Sequence, residues 1–301
     1  MEKRHIRASV NDEILLVYVD EIRSSQPRVG TRKLYSMLSE ILEANKIKLG
    51  RDKFFDLLRK NNLLVKKRRS RTTTTNSNHV YRKYPNLILE YVPTGPEQIV
   101  ASDITYLSTE HGPVFLSLIT DQYSKKIMGH HVHPTLETDG PLEALNMALR
   151  NRRHLSSKLI HHSDRGIQYC CKEYTDVLVQ NNIQISMSAK GNPYENAIAE
   201  RVNGILKSEF YLDRLFKDIA EAKREVHAVI TVYNTQRFHA SCDYLTPEQA
   251  HDRHGILKKR WTHYKPKKKL EELKVIGEDV KKAVAQLLKK HLSLEPKLVP
   301  G

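Results

Sequence analysis

The sequence predicts a mixed α/β sheet with helices on its faces, preceded by a small all-α unit. Three observations carry this. Residues 99–133 hold three successive strand-like runs, and residues 137–234 then alternate helix and strand. Residues 11–61 show helical periodicity only. Between the two, residues 66–79 are polar and core-poor, the composition of a linker.

The α-helical part begins with residues 11–24, periodic after Asn11, which is placed to cap them. Gly30 then breaks the chain, and Thr31 can cap a second helix to about residue 45, with Leu34, Leu38, Ile41 and Leu42 as its apolar stripe. A third helix is expected over 51–61, with Phe54, Phe55, Leu57 and Leu58 inward. Three short helices with basic residues on the last resemble a helix-turn-helix, in which Arg51, Lys53 and Arg59 would face DNA. An ordinary three-helix bundle with exposed charges has the same pattern. The linker opens with Lys66, Lys67, Arg68 and Arg69, which can lie along a phosphate backbone.

In the sheet region, strands are expected over 99–108, 114–121, 127–133, 158–163 and 183–188. Helices are expected over 137–152, 172–181, 195–211 and 218–234, and a further helical stretch over 270–291. The domain plan is therefore 1–65 helical, 66–92 linker, 93–250 sheet-based core and 251–301 basic extension.

Charge follows this plan. The chain of 301 residues carries a net +15. Residues 1–80 hold +9 and residues 251–301 hold +8, while 81–250 hold −2. Basic ends suit a polyanion, and a nearly neutral middle can collect cations. The 39% apolar content supports a real core, and the mean hydropathy is −0.56. No apolar run approaches the roughly 20 residues of a membrane span, and no secretory signal is visible at MEKRHIR, so a cytoplasmic, nucleoid-associated protein is expected. Cys170, Cys171 and Cys242 form no CxxC pair and read as reduced thiols.

Three acids stand in distinctive surroundings. Asp103 lies among apolar neighbours in IVASDITYLS, Asp164 ends an apolar strand in LIHHSDRGIQY, and Glu200 follows in GNPYENAIAERVNGILKSEF. Buried carboxylates are costly unless paired or bound to metal. At about 100° per residue, Asn196, Glu200, Asn203 and Lys207 share one helical sector, opposite Ile198, Val202 and Ile205, and Asn196, Asn203 and Lys207 are expected to contact DNA from it. Glu195 falls on a different face and reads as a first-turn residue favoured by the helix dipole. Hard oxygen ligands of this kind suit two Mg²⁺ or Mn²⁺ ions, which at roughly 4 Å separation support in-line phosphoryl displacement. His161 and His162 lack the Cys/His quartet of a zinc site. His130, His131 and His133 read as packing or surface residues, and Tyr123, Tyr169 and Tyr194 as groove-lining or core aromatics.

The chain from residue 99 to 247 resembles the catalytic domain of insertion-sequence transposases of the retroviral integrase superfamily, and within it the OrfB-type transposases of the insertion-sequence three family. The resemblance rests on Asp103-Ile104-Thr105-Tyr106, His162-Ser163-Asp164, Gly166, Gln168 and Tyr169, then Gly191-Asn192-Pro193-Tyr194, Asn196-Ala197, Glu200, and Leu206-Lys207 with Glu209, and last Tyr233-Asn234, His239 and Tyr244-Leu245-Thr246-Pro247. VGTRKLYSML through FFDLLRKNNLL resembles the helix-turn-helix region before that core. Departures are Glu195 where the family commonly has Asp, Phe238 where Pro is usual, an altered Ser241-Cys242-Asp243 and a longer basic C-terminus.

The resemblance implies a ribonuclease-H-like fold and an acidic triad of Asp103, Asp164 and Glu200 that binds the metal ions. It further implies that Lys207 contacts the transposon end, that the protein works on DNA as a homo-oligomer without a membrane, and that excision follows a copy-out, paste-in route. Other classes open to such a chain are a repurposed DNA-binding protein without catalysis and a structure-specific nuclease of the same fold.

Overall fold

A computed structural model describes residues 2–65, 80–155, 158–189 and 197–260. The predicted helix over 270–291 lies outside the described residues, as do Lys66, Lys67, Arg68, Arg69 and Asn196.

The N-terminal helices are α1 (Glu2–Ser25), α2 (Thr31–Met37), α3 (Ser39–Ala44) and α4 (Arg51–Lys60). Asn11 is not a cap, because the backbone is already helical from Glu2 and no Gly or Pro interrupts it there. Thr31 is not a cap either. Gly30 takes the extended cap conformation, and Thr31 is the first helical residue, buried. The predicted second helix is divided at Leu38, yet the amide of Leu38 still bonds the Leu34 carbonyl and that of Leu42 the Leu38 carbonyl. Leu15, Val19, Leu34, Leu38, Phe54 and Leu58 form a shared core, with Tyr35 packed on Phe54.

The sheet is built from β1 (Ile99–Thr109), β2 (Gly112–Asp121), β3 (Ile127–His133), β4 (Ile160–Ser163), β5 (Gln184–Met187) and the two-residue β6 (Leu215–Phe216). Its order is β3-β2-β1-β4-β5, with β6 beside the far end of β1. The first three strands are antiparallel, and β4 and β5 run parallel to β1. This is the ribonuclease-H-like arrangement.

Two apolar layers cover the sheet. On one face, α5 (Asp139–Arg150) and α7 (Lys172–Gln180) pack Ala144, Leu145, Ala148, Tyr174 and Leu178 against Val100, Ile104, Ile119 and Met128. Gly129 in β3 is needed for this, since a Cβ there would lie 2.0 Å from the Ala144 carbonyl oxygen. On the other face, α8 (Ala197–Glu209) and α9 (Ile219–Gln236) pack Val202, Ile205, Leu206, Val226, Ile230 and Tyr233 against Leu107, Leu116, Leu118 and Val132. Two short helices escaped the sequence reading, α6 (Ile167–Cys170) and α10 (Pro247–His251). The latter explains Thr246-Pro247 locally: Thr246 accepts from the Gln249 amide in a capping box, with Pro247 in the first turn.

Candidate active site

Side chains two apart on a strand share a face. Ala101 of β1 pairs with His162 of β4 in parallel register. Asp103 lies two residues further along β1, and Asp164 lies two residues beyond His162, just past the end of β4. The face is that of α8: Leu107, four residues beyond Asp103 in β1, packs in the α8–α9 layer. Glu200 lies in the first turn of α8, exposed, while Asp103 and Asp164 are half-buried. Burial and the charges of Asp164 and Glu200 push the Asp103 carboxyl up to about 7, opposed by a hydrogen bond from Asn203. The charges of the other two acids that the sequence singled out thus reach Asp103.

Asp164 is locally supported. Asp164 Oδ1 accepts the Gly166 amide at 2.9 Å, and a Cβ at Gly166 would come to 3.0 Å from that oxygen. In β4, His161 Nε2 meets Ser102 Oγ at 2.6 Å and the Tyr174 hydroxyl at 2.9 Å, and His162 Nδ1 meets Ser186 Oγ at 2.9 Å. Burial, with the neighbouring His162, pushes His161 down to about 3. These histidines are struts of the sheet.

Asn203 and Lys207 follow Glu200 along α8. Asn203 was expected on a DNA-facing stripe; it is buried, and its amide donates to Asp103 Oδ2 at 2.7 Å. The helix leans its polar stripe onto β1, so the middle of that stripe is used inside the protein. Lys207 Nζ lies 4.2 Å from the Tyr106 ring centroid, a cation–π contact, and burial lowers its pKa while the Asp103 charge raises it. On α4, Arg51, Lys53 and Arg59 are exposed, but Arg51 pairs with Asp52 and Arg59 with Asp56. Among these three, Lys53 alone has no ion pair within the described residues.

The sequence reading missed two features. The Tyr169 hydroxyl is buried without a hydrogen bond among the described residues, and burial, Tyr174 and the charges of Asp103 and Asp164 raise its pKa well above 10. Its nearness to Asp164 in sequence was the available signal. The second is Glu209, at the end of α8, which takes Arg237 Nε at 2.9 Å and Nη2 at 3.0 Å, and Lys33 Nζ at 2.7 Å. Arg237 is 2% exposed.

An integrase core domain model matches residues 93–193, and a second model of the same description matches 181–247. The chain is 36% identical over 235 residues to the Insertion element IS600 uncharacterized 31 kDa protein of Shigella sonnei, covering 77% of this chain and 84% of that protein. It is 35% identical over 161 residues to Transposase InsF for insertion sequence IS3A of Escherichia coli, covering 53% of this chain and 56% of that one. It thus spans about half the length of InsF. Among solved structures, the HTLV-2 integrase catalytic core domain in complex with magnesium is 17% identical, with a TM-score of 0.42 over 53% of this chain and 99% of that one.

Mixed sheet and family matches together define a polynucleotidyl transferase of the DDE class with an integrase core. Within that class, the chain belongs to the family of insertion-sequence transposases of IS3 type.

Proposed function

We propose that this protein cleaves DNA at the ends of an insertion sequence and joins them to new DNA, with Asp103, Asp164 and Glu200 as its catalytic acids. One observation supports the reading: burial, together with the charges of Asp164 and Glu200, holds the Asp103 carboxyl up at about 7. A surplus of negative charge with all-oxygen donors fits hard divalent cations. The three acids would hold two Mg²⁺ or Mn²⁺ ions, which when bound supply charge neutralisation and activation for in-line phosphoryl transfer.

The remaining roles belong to the chain's own side chains. Asn203 orients the Asp103 carboxylate through its Oδ2. Lys207, on the same helical sector as Glu200, is placed to hold a phosphate of the element end. The N-terminal helices, through Lys53, Arg51 and Arg59, bind the end in a sequence-specific manner. The basic segment Lys66, Lys67, Arg68 and Arg69 follows the phosphate backbone, and Asn196 contacts DNA. The domain plan of 1–65, 66–92, 93–250 and 251–301 matches this division of labour. DNA ends and target DNA are the partners, the protein acts as a homo-oligomer on them in the bacterial nucleoid, and the route is copy-out and paste-in. Among the described residues no helix is long and apolar enough to cross a membrane.

The test is strand transfer on the element's own flanking DNA with Mg²⁺. Asp164→Asn should abolish cleavage while end binding in a gel-shift assay stays within about twofold. Cleavage by that variant at the wild-type rate would remove Asp164 from the reaction, and activity that survives thorough chelation would remove the metals.

A further inference from the structure

Away from the acidic triad, Glu97, His154 and His251 converge from three distant segments: the approach to β1, the turn after α5 and the end of α10. One ligand atom from each lies within 4.8 Å of the other two. Glu97 and His251 are fully buried, and His154 is half-buried. We propose that these three side chains bind a structural Zn²⁺ ion, with His254, which stands outside that group beside the His154 ring, turning in as the fourth ligand.

Hydrogen-bond bookkeeping carries the argument. Asp121 Oδ1, Ser124 Oγ, His251 and Glu97 Oε1 form a chain with three contacts: 2.7 Å from Asp121 to Ser124, 2.9 Å from Ser124 to His251 Nδ1, and 3.3 Å from His251 Nε2 to Glu97. A serine hydroxyl and a neutral imidazole supply two hydrogens for those three contacts. With the serine hydrogen on Asp121 and the imidazole hydrogen directed at Ser124, the Nε2 lone pair of His251 faces a carboxylate oxygen. In that tautomer a cation between them satisfies the contact.

A proton could fill that place, but the surroundings favour a metal. Ligand distances of 2.0–2.2 Å in a tetrahedron give edges of about 3.3–3.5 Å, the spacing found between Nε2 and Oε1. The ring nitrogens of His154 take no hydrogen bond among the described residues, so one is available as a donor. A hydrogen bond from the ligand's other nitrogen to a carboxylate-linked group is the usual support for a zinc-bound histidine, and Ser124 with Asp121 provides it. Glu97 keeps a lone pair free for monodentate ligation: the Arg153 amide takes one position on Oε1, and Arg152 Nε and the His154 amide take Oε2. His254 lies three residues after His251, with its ring 5.5 Å from that of His154. Its Nδ1 fills the space that a side chain at Gly95 would need. Two or three imidazoles with one carboxylate are a borderline donor set that selects zinc over magnesium.

Such an ion would fasten the segment entering β1 to α5 and α10. The test uses the full chain stripped of metal and titrated with Zn²⁺ against a chromophoric chelator. Wild type and Asp164→Asn should each take up one tight equivalent that raises Tm, which separates this site from the acidic triad. His154→Ala and His254→Ala, both at accessible positions, should weaken that equivalent at least tenfold while the circular dichroism spectrum is retained. Cobalt in place of zinc should give the intense visible bands of a tetrahedral site, a reading that requires no variant. A weak octahedral cobalt spectrum, no equivalent surviving in Asp164→Asn, or wild-type affinity in folded His154→Ala would each overturn the proposal.

Discussion

The side-chain amide of Asn203 donates to Oδ2 of Asp103 across 2.7 Å, tying the helix that carries Glu200 to the strand that carries Asp103. A hydrogen bond to a carboxylate is worth about 1.5–3 kcal/mol, and it favours the ionised form that a cation needs. Asn203→Ala should therefore lower strand cleavage about 10–100-fold at pH 7. It should also move the pH–rate profile upward, so that the deficit narrows toward pH 8.5. A deficit that stays constant with pH would mean that Asn203 acts only through packing.

The same carboxyl makes a claim on stability. The usual Asp pKa is 3.8, and in the folded chain burial, Asp164 and Glu200 raise it to about 7. Between about pH 4 and 7 the native state therefore keeps a proton that the unfolded chain has released, and stability falls as pH rises through that window. Buried histidines such as His161, pushed down to about 3, give a slope of the opposite sign up to about pH 6.5, so the comparison of wild type with Asp103→Asn isolates the carboxyl. One pKa unit corresponds to about 1.4 kcal/mol, and solvent screening of a half-buried group brings the total to the order of 2 kcal/mol. In divalent-free buffer Asp103→Asn should be more stable than wild type by that order at pH 8 and nearly equal to it at pH 4.5. Denaturant unfolding at the two pH values measures this, and equal stability at pH 8 would contradict the upward shift.

Much of this site was legible in the sequence because its signals are local. An acid inside an apolar strand is conspicuous, and helical spacing alone groups Glu200 with Asn203 and Lys207. Strands 99–109 and 127–133 are β-branched- and aliphatic-containing runs bounded by turns, which composition reveals. What stayed hidden depends on partners far apart in the chain. Asn203 reads as a surface residue until β1 is known to lie beneath it. Glu97 meets His251 154 residues away, and Lys33 meets Glu209 176 residues away. The short α6 and α10 have too few residues to show a period, and β6 is only a two-residue pairing with β1.

Packing offers a test independent of chemistry. At Gly129 an added Cβ would meet the Ala144 carbonyl at 2.0 Å and the Ala148 amide nitrogen at 2.7 Å. Both are backbone atoms of α5, so no rotamer change relieves the clash, and the helix must move off the sheet. Overpacking of this kind costs about 3 kcal/mol. Gly129→Ala should lose that much in chemical denaturation, and Ala144→Gly in the same chain should not restore it. Recovery in the double variant would show that side-chain crowding, not the backbone approach, sets the cost.

Glu209 offers the sharpest test of how the N-terminal helices meet the core. Its carboxylate binds Arg237 through two nitrogens and Lys33 through one, and its backbone carbonyl accepts the Arg28 amide at 3.0 Å. Burial and the nearby Arg237 push Lys33 down to about 8, with Glu209 holding it up. Removing the carboxylate leaves two largely buried cations facing each other, so Glu209→Gln should cost about 3 kcal/mol. Lys33→Met should cost less, because Arg237 still satisfies the carboxylate. If the two side chains act as one unit, the double variant should be at least 1 kcal/mol more stable than the sum of the single losses predicts. The cycle, measured by urea denaturation at pH 7, returns that coupling directly; strict additivity would show that the ion pair does not hold α2 to the end of α8.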